Sequence, residues 1–251
     1  MSAPAGSRAR TAQAGRTDRP CDPARGDRHV PRLHAIAADE VLDRRGFVDD
    51  ARALLDWGGP EVALHLRAHG RPGGALFALA RRLAPVAQAS GALLVVNDRV
   101  DVALAAAIEA VQLGVRSLPL ASARAIVPAG TLLGYSAHAA DEAAEAAVAG
   151  ADWLLLGTIY PTASHPGREG AGPGLIAAAA QALQAGPGPR PVIAIGGLTP
   201  ERVVEVVAAG AHGVAVLRGI WSAPVPFRAA AAFRDALAAA TGQRAAAADD
   251  E

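Results

Sequence analysis

The sequence predicts a single-domain α/β protein, a (β/α)8 TIM barrel, and three observations carry that expectation. Short aliphatic runs recur eight times along the chain. They are continuous rather than alternating, as strands buried on both faces of a parallel sheet are. Ala-rich helical stretches separate them, and eight such units in about 210 residues is the count for a small closed barrel. A doubly wound open sheet is the fallback.

Taken in order, the runs are LHAIA (33–37), VALHLR (62–67), LLVVN (93–97), AVQL (110–113), LLGYS (132–136), WLLLG (153–157), PVIAIGG (191–197) and GVAVL (213–217). Among the helical stretches, GGALFALARRLAPVAQAS follows the second run, ADEAAEAAVAG the fifth and PERVVEVVAAG the seventh, the last two closed by a Gly where a C-cap belongs. Residues 1–31 are rich in Ala, Arg, Asp, Gly and Pro with few aliphatics, too few to repay the entropy of ordering them, and are expected to be a disordered extension. The barrel is assigned to residues 32–240, and 241–251 to a disordered tail.

Composition narrows the function classes. A chain of 251 residues with 51% hydrophobic content buries a full core. Its formal net charge is zero and no basic stripe with interleaved aromatics appears, which argues against nucleic-acid and membrane-surface partners and for small ligands. No run reaches the roughly 18 apolar residues of a spanning helix, and the N-terminus lacks a hydrophobic signal core. Cys21 is the lone cysteine, so internal disulfides and metal–thiolate sites are out and a cytoplasmic location is expected. Lysine is absent, and every permanently basic side chain is Arg. Whether the barrel forms a homo-oligomer stays open.

In a barrel of this kind the C-terminal strand ends and the loops after them face the ligand. Those ends carry His65, Arg67 and His69; Asn97 and Asp98; Gln112; Ser136 and His138; Thr162, Ser164 and His165; Gly196 and Gly197; and Arg218 with Gly219. The glycine turns AIGGLTPE and AVLRGIW fall after adjacent strands seven and eight, where backbone N–H groups and a helix N-terminus receive a phosphate. The competing reading is two tight turns, with Thr199 and Pro200 starting the next helix. The glycine-rich segment 157–174 offers Thr162 and Ser164 hydroxyls and the Arg168 charge, as a lid or as a plain surface loop. His138 precedes a helix and is either a proton carrier or a helix-start residue. Asp98 is either a metal ligand or a helix cap. His65 and Arg67 alternate with Leu64 and Leu66, so they share the face that lines the lumen, where Arg67 needs an anion.

Together NDRVDVAL, VQLGVRSLP, GYSAH, GADWLLLGTIYPTASH, PVIAIGGLTPE and AGAHGVAVLRGI resemble the thiamine phosphate synthase and TenI superfamily over residues 33–235. The resemblance implies a TIM barrel, thiamin metabolism and a thiazole phosphate ligand. Two activities compete within it. The synthases join hydroxymethylpyrimidine diphosphate to thiazole phosphate and expel pyrophosphate with Mg²⁺; TenI proteins aromatise a carboxythiazole phosphate by a proton shift without a metal. Where the synthases carry QLREK, this chain has HLRAH, keeping Arg67 but placing His65 at the Gln and His69 at the Lys. Ser117 stands where a synthase Asp would join Asp98 on Mg²⁺, and His165 stands at the lysine of the synthase loop PTxTK.

These departures favour a TenI-like thiazole tautomerase, an isomerase needing no cofactor. By resemblance His138 is then the acid and base, Arg67 steadies the substrate carboxylate, and Thr162 with Gly196, Gly197 and Gly219 holds the phosphate. Arg218 either adds a phosphate contact or obstructs the pocket. The alternatives are a thiamine phosphate synthase, a transferase with Mg²⁺ at Asp98, and a non-catalytic binder of thiazole or thiamine phosphates.

Overall fold

Strands of four to six residues close on one another without an edge, β1 hydrogen-bonded to β2 and so on to β8, which returns to β1. The computed structural model describes residues 29–162, 167 and 169–249. The strands are β1 (Leu33–Ala38), β2 (Val62–Arg67), β3 (Leu93–Asn97), β4 (Ala110–Leu113), β5 (Leu132–Ala137), β6 (Trp153–Leu156), β7 (Val192–Ile195) and β8 (Gly213–Val216). All pair in parallel, and the last junction sets Leu33 opposite Val214. This is the eight-stranded TIM barrel the aliphatic runs predict.

The runs read as continuous because both faces of each strand are covered. Leu33, Ala35 and Ala37 of β1 face outward with Leu64 and Leu66 of β2 and Leu154 and Leu156 of β6, into the layer shared with the helices. Ile36, Ala63, Val95, Ala110, Trp153, Leu155, Ile193 and Ala215 face inward and fill the lumen. Four polar side chains interrupt that inner set, His34, His65, Asn97 and Gln112, all of them buried. They share the inward face with apolar residues two positions away, and place a column of buried polar groups in the lumen.

Ten helices surround the barrel among the described residues. After β1 come α1 (Asp39–Leu42) and α2 (Phe47–Gly58); α3 (Gly73–Ser90), α4 (Val100–Ala106), α5 (Leu120–Ile126), α6 (Ala140–Val148), α7 (Gly174–Ala185) and α8 (Val203–Ala208) follow β2 to β7 in turn. Beyond β8 lie the short α9 (Arg218–Trp221) and α10 (Pro226–Asp249). Helix α10 packs Ala230, Phe233, Leu237 and Ala240 into the core and runs on through most of the stretch assigned to a tail. None of these helices is long and apolar enough to cross a membrane.

Of the stretch assigned to an N-terminal extension, residues 1–28 lie outside the described residues. Val30 and Pro31 are buried under the base of the barrel, where Val30 O accepts from His212 Nε2 at 2.8 Å and Pro31 O from His34 Nε2 at 2.9 Å. The barrel is thus stoppered at the end opposite the strand C-termini, which leaves one mouth for a ligand.

Candidate active site

The lumen supplies the floor of the site. His65 and Arg67 do share the inner face of β2, His65 fully buried and Arg67 half-buried at the strand end. The pairing Leu66↔Val96 sets Arg67 level with Asn97, the last residue of β3. Gln112 pairs in register with Asn97, and its amide Nε2 donates to Ser136 Oγ on β5 at 3.0 Å. Below them His65 Nε2 lies 2.8 Å from His34 Nδ1, and His65 Nδ1 lies 3.2 Å from Asn97 Oδ1. Thus His65, Arg67, Asn97, Gln112 and Ser136 come together across four adjacent strands.

At the rim, Asp98 adopts φ 65°, a left-handed conformation that side-chain-bearing residues seldom take. Its N–H donates to Gln112 O at 2.9 Å, and its carboxylate accepts the Ser117 hydroxyl proton. Ser117 Oγ in turn accepts from Gly114 N at 2.8 Å. The other carboxylate oxygen stands 3.6 Å from His69 Nδ1. The helix-cap role weighed for Asp98 is therefore not the one it plays: Arg99 is the N-cap of α4, makes no side-chain cap, and turns instead to Asp101. Backbone held off its easy conformations at the mouth of a site is characteristic of functional constraint.

His69 reaches Asp98 because of a residue absent from the sequence reading. Asp39, at the end of β1, accepts from the backbone N–H groups of His69 and Gly70 at 2.9 and 3.0 Å and pins the loop after β2. The available signal was an acid directly after a strand, which is common enough to carry little weight alone.

The opposite rim is built from the glycine turn after β7. Gly196 (φ 104°) and Gly197 (φ 62°) pass so close to the loop after β6 that a Cβ on Gly197 would lie 2.5 Å from Pro161 O. Tyr160 N donates to Gly196 O at 3.0 Å, Arg202 donates to Gly197 O at 2.6 Å, and the Arg202 guanidinium sits 4.4 Å over the Tyr160 ring. The Tyr160 hydroxyl donates to Glu205 at 2.6 Å; burial and then that carboxylate hold its phenol up at about 12. Both ends of the glycine-rich segment are thereby tied down, since Ala171 and Gly172 donate back to Thr158 and Ile159. Thr162 is in the described part of that segment, whereas Ser164, His165 and Arg168 lie outside the described residues.

Gly219 belongs to α9, and its bare Cα is needed for packing: a Cβ there would come within 2.9 Å of Val216 and 3.3 Å of Phe233. Arg218 opens the same helix and is exposed. His138 donates from its backbone to Glu142 at 2.7 Å, and its ring Nδ1 contacts Gly157 O. Since a carbonyl accepts only, Nδ1 carries a proton there.

Magnesium fits this rim only in part. Asp98 supplies a carboxylate, Ser117 Oγ is an uncharged oxygen beside it, and no group of three or more His, Cys, Asp or Glu side chains assembles a cation site among the described residues. Mg²⁺ is commonly held by one or two carboxylates with substrate phosphates completing the shell, so the donor set suffices once a diphosphate is present and not before.

The buried imidazoles give the fold a pH dependence. Burial lowers His34 well below the usual imidazole value, with His65 adding to the effect, and burial brings His65 down to about 4. In the unfolded chain both titrate near pH 6.5. Below that value the unfolded state takes up protons that the folded state refuses, so stability falls with pH from about 6.5 toward 4, by about 1.4 kcal/mol per pH unit for each group. Thermal melts across that window are expected to show a falling midpoint, shallower when His65 is replaced by Gln.

Comparison with known proteins now bears on these features. The family model described as thiamine monophosphate synthase matches residues 33–220. A thiamine-phosphate synthase of Methanoculleus marisnigri is 38% identical over 208 residues, 83% of this chain and 96% of that protein. One from Mycobacterium bovis is 40% identical over 214 residues, 82% and 94% of the two chains. The solved thiamine phosphate pyrophosphorylase of Pyrococcus furiosus superposes with a TM-score of 0.72 at 28% identity, over 85% of this chain and 98% of that one.

These findings overturn the expected affinity to TenI, and with it the tautomerase and isomerase reading in which His138 was expected to serve as acid and base. Ser117, though uncharged, keeps an oxygen against Asp98, and His69, though not a lysine, still faces the same carboxylate. On a family match over residues 33–220 and relatives 38–40% identical over more than four-fifths of its length, the chain belongs to the thiamine monophosphate synthase family.

Proposed function

We infer that the protein is a thiamine-phosphate synthase, a transferase joining hydroxymethylpyrimidine diphosphate to thiazole phosphate with release of pyrophosphate. The observation that carries it is Asp98, held in a left-handed conformation between the Ser117 hydroxyl and His69 at the barrel mouth. A carboxylate held at the mouth beside a hydroxyl suits a cation bridging to a diphosphate, which a reaction that only moves a proton does not need.

In this reaction the bond between the pyrimidine's methylene carbon and the diphosphate oxygen breaks, and the oxygen keeps the electron pair. The thiazole nitrogen supplies its lone pair to that carbon, forming the new C–N bond. Charge accumulates on the leaving diphosphate, so groups aimed there lower the barrier. Arg67, permanently charged and half-buried at the end of β2, is suited to a fork-like contact with phosphate oxygens. Asp98 and Ser117 would hold Mg²⁺, which when bound supplies further neutralisation of the diphosphate. Across the mouth, the turn Gly196–Gly197 offers backbone for the thiazole monophosphate, with Thr162 beside it. The two phosphate ends thus face each other over the floor made by Asn97, Gln112 and Ser136. A cytoplasmic location remains part of this reading, on the lone cysteine.

The test is incubation of the protein with both substrates and Mg²⁺, following thiamine phosphate and pyrophosphate together. Equimolar appearance of the two supports the reading; aromatisation of a carboxythiazole phosphate with no pyrophosphate contradicts it. Asp39→Ala, which unties the loop bearing His69, is expected to raise KM for the diphosphate substrate several-fold, by loss of charge-assisted hydrogen bonds, with a smaller change in kcat, as read from initial rates.

A further inference from the structure

The mechanism above leaves two buried imidazoles without a task. His34 and His65 are both 0% exposed, stacked along the barrel axis between the stopper at Pro31 and the floor of the site at Asn97. We propose that His34 is a positioning residue: acting through His65, it turns the Asn97 carboxamide so that its NH2 points down the lumen and its carbonyl oxygen points up into the ligand chamber.

The available hydrogen-bond donors fix both tautomers. Pro31 O only accepts, so His34 Nε2, 2.9 Å away, carries a proton. His34 is neutral, so its Nδ1 is a lone pair. His65 Nε2, at 2.8 Å, must therefore be the N–H that donates to it. Neutral His65 then presents a lone pair at Nδ1, and the group facing it across 3.2 Å must donate. That group is the Asn97 carboxamide, whose oxygen and nitrogen exchange places by a half-turn about the last side-chain bond; only the NH2 satisfies the relay.

The opposite orientation, oxygen inward, requires either a third proton shared by the two rings or a lone pair of His34 aimed at the Pro31 lone pairs. A third proton makes an imidazolium in a dry lumen. The rings are packed among Ile36, Ala63, Val95 and Ala215, with Trp153 at 6.0 Å from His34, and neither meets a carboxylate among the described residues. Burial without a counter-charge penalises that state heavily. The chain of bonds is thus anchored by a backbone carbonyl at the closed end of the barrel and read out as an acceptor at the open end.

An acceptor there suits a ligand with an N–H donor, such as an amino-substituted heteroaromatic ring, and refuses carbonyls and carboxylates at the same place. This substrate half rests on the synthase reading, in which the diphosphate substrate carries the pyrimidine; the tautomer half does not.

The experiment uses full-length protein labelled with ¹⁵N-histidine, with His34 and His65 assigned through single variants. Long-range ¹H–¹⁵N correlation at neutral pH is expected to show both as neutral Nε2–H tautomers; His65 protonated at Nδ1 overturns the relay. In kinetics, His34→Leu is expected to raise KM for the pyrimidine diphosphate about tenfold, the effect of one lost hydrogen bond, while KM for thiazole phosphate and kcat stay within about twofold. His34→Asn, whose Oδ1 can stand where Nδ1 stood, is expected to restore both the His65 tautomer and the KM. Equal rises in both KM values, or no rescue by Asn, contradict positioning and leave the synthase reading intact. If no condensation occurs in the wild type, the synthase reading fails, and the tautomers alone decide the relay.

Discussion

Asp98→Asn is expected to lower the rate of pyrophosphate release by about 10²–10³-fold while leaving the melting temperature nearly unchanged, the loss typical of removing one group aimed at developing charge. Asn is the informative substitute because it tolerates the left-handed conformation at φ 65° and can still accept the Ser117 proton. Only the negative charge is removed. If Asp98 merely shaped the turn after β3, Asn would serve as well and activity would persist. Steady-state rates at saturating magnesium and thermal melts on the same preparation separate the two cases. An unchanged rate would remove Asp98 from the reaction.

The second large effect is expected at Gly197. Gly197→Ala places a methyl 2.5 Å from Pro161 O and 2.8 Å from Tyr160 Cβ and O, groups of the neighbouring loop that cannot rotate away. A clash with backbone at a positive φ is expected to cost about 2–4 kcal/mol of stability. The loss should fall on the monophosphate side of the chamber, with KM for thiazole phosphate rising at least tenfold and KM for the diphosphate substrate little altered. Calorimetry and initial rates with each substrate varied in turn check both parts. If Gly197→Ala melts normally and binds thiazole phosphate normally, the loop is not tied to this turn.

The fold was legible in the sequence because each strand is its own signal: LLVVN, AVQL and WLLLG needed no knowledge of their neighbours, and the observed strands end within two residues of the eight runs. Period-two alternation likewise placed His65 and Arg67 on the inner face. What could not be read were contacts made by closure of the barrel. Asp39 meets His69 across 30 residues, Ser117 meets Asp98 across 19, and His34 meets His65 across 31. His34 sits inside LHAIA and read as part of an aliphatic run; its even spacing with inward Ile36 was the available hint. Nor does the residue type at 69 or 117 show that the folded rim sets both side chains against the Asp98 carboxylate.

The central claim is that one carboxylate, one hydroxyl and the substrate's own diphosphate together make the cation and leaving-group site. Titration calorimetry of magnesium into the protein, with and without pyrophosphate, tests it directly. The account predicts no measurable magnesium binding to the protein alone, saturable binding to the protein–pyrophosphate complex, and loss of that binding in Asp98→Asn. Magnesium that binds unaided, or that binds the pyrophosphate complex equally well without the Asp98 charge, would contradict it.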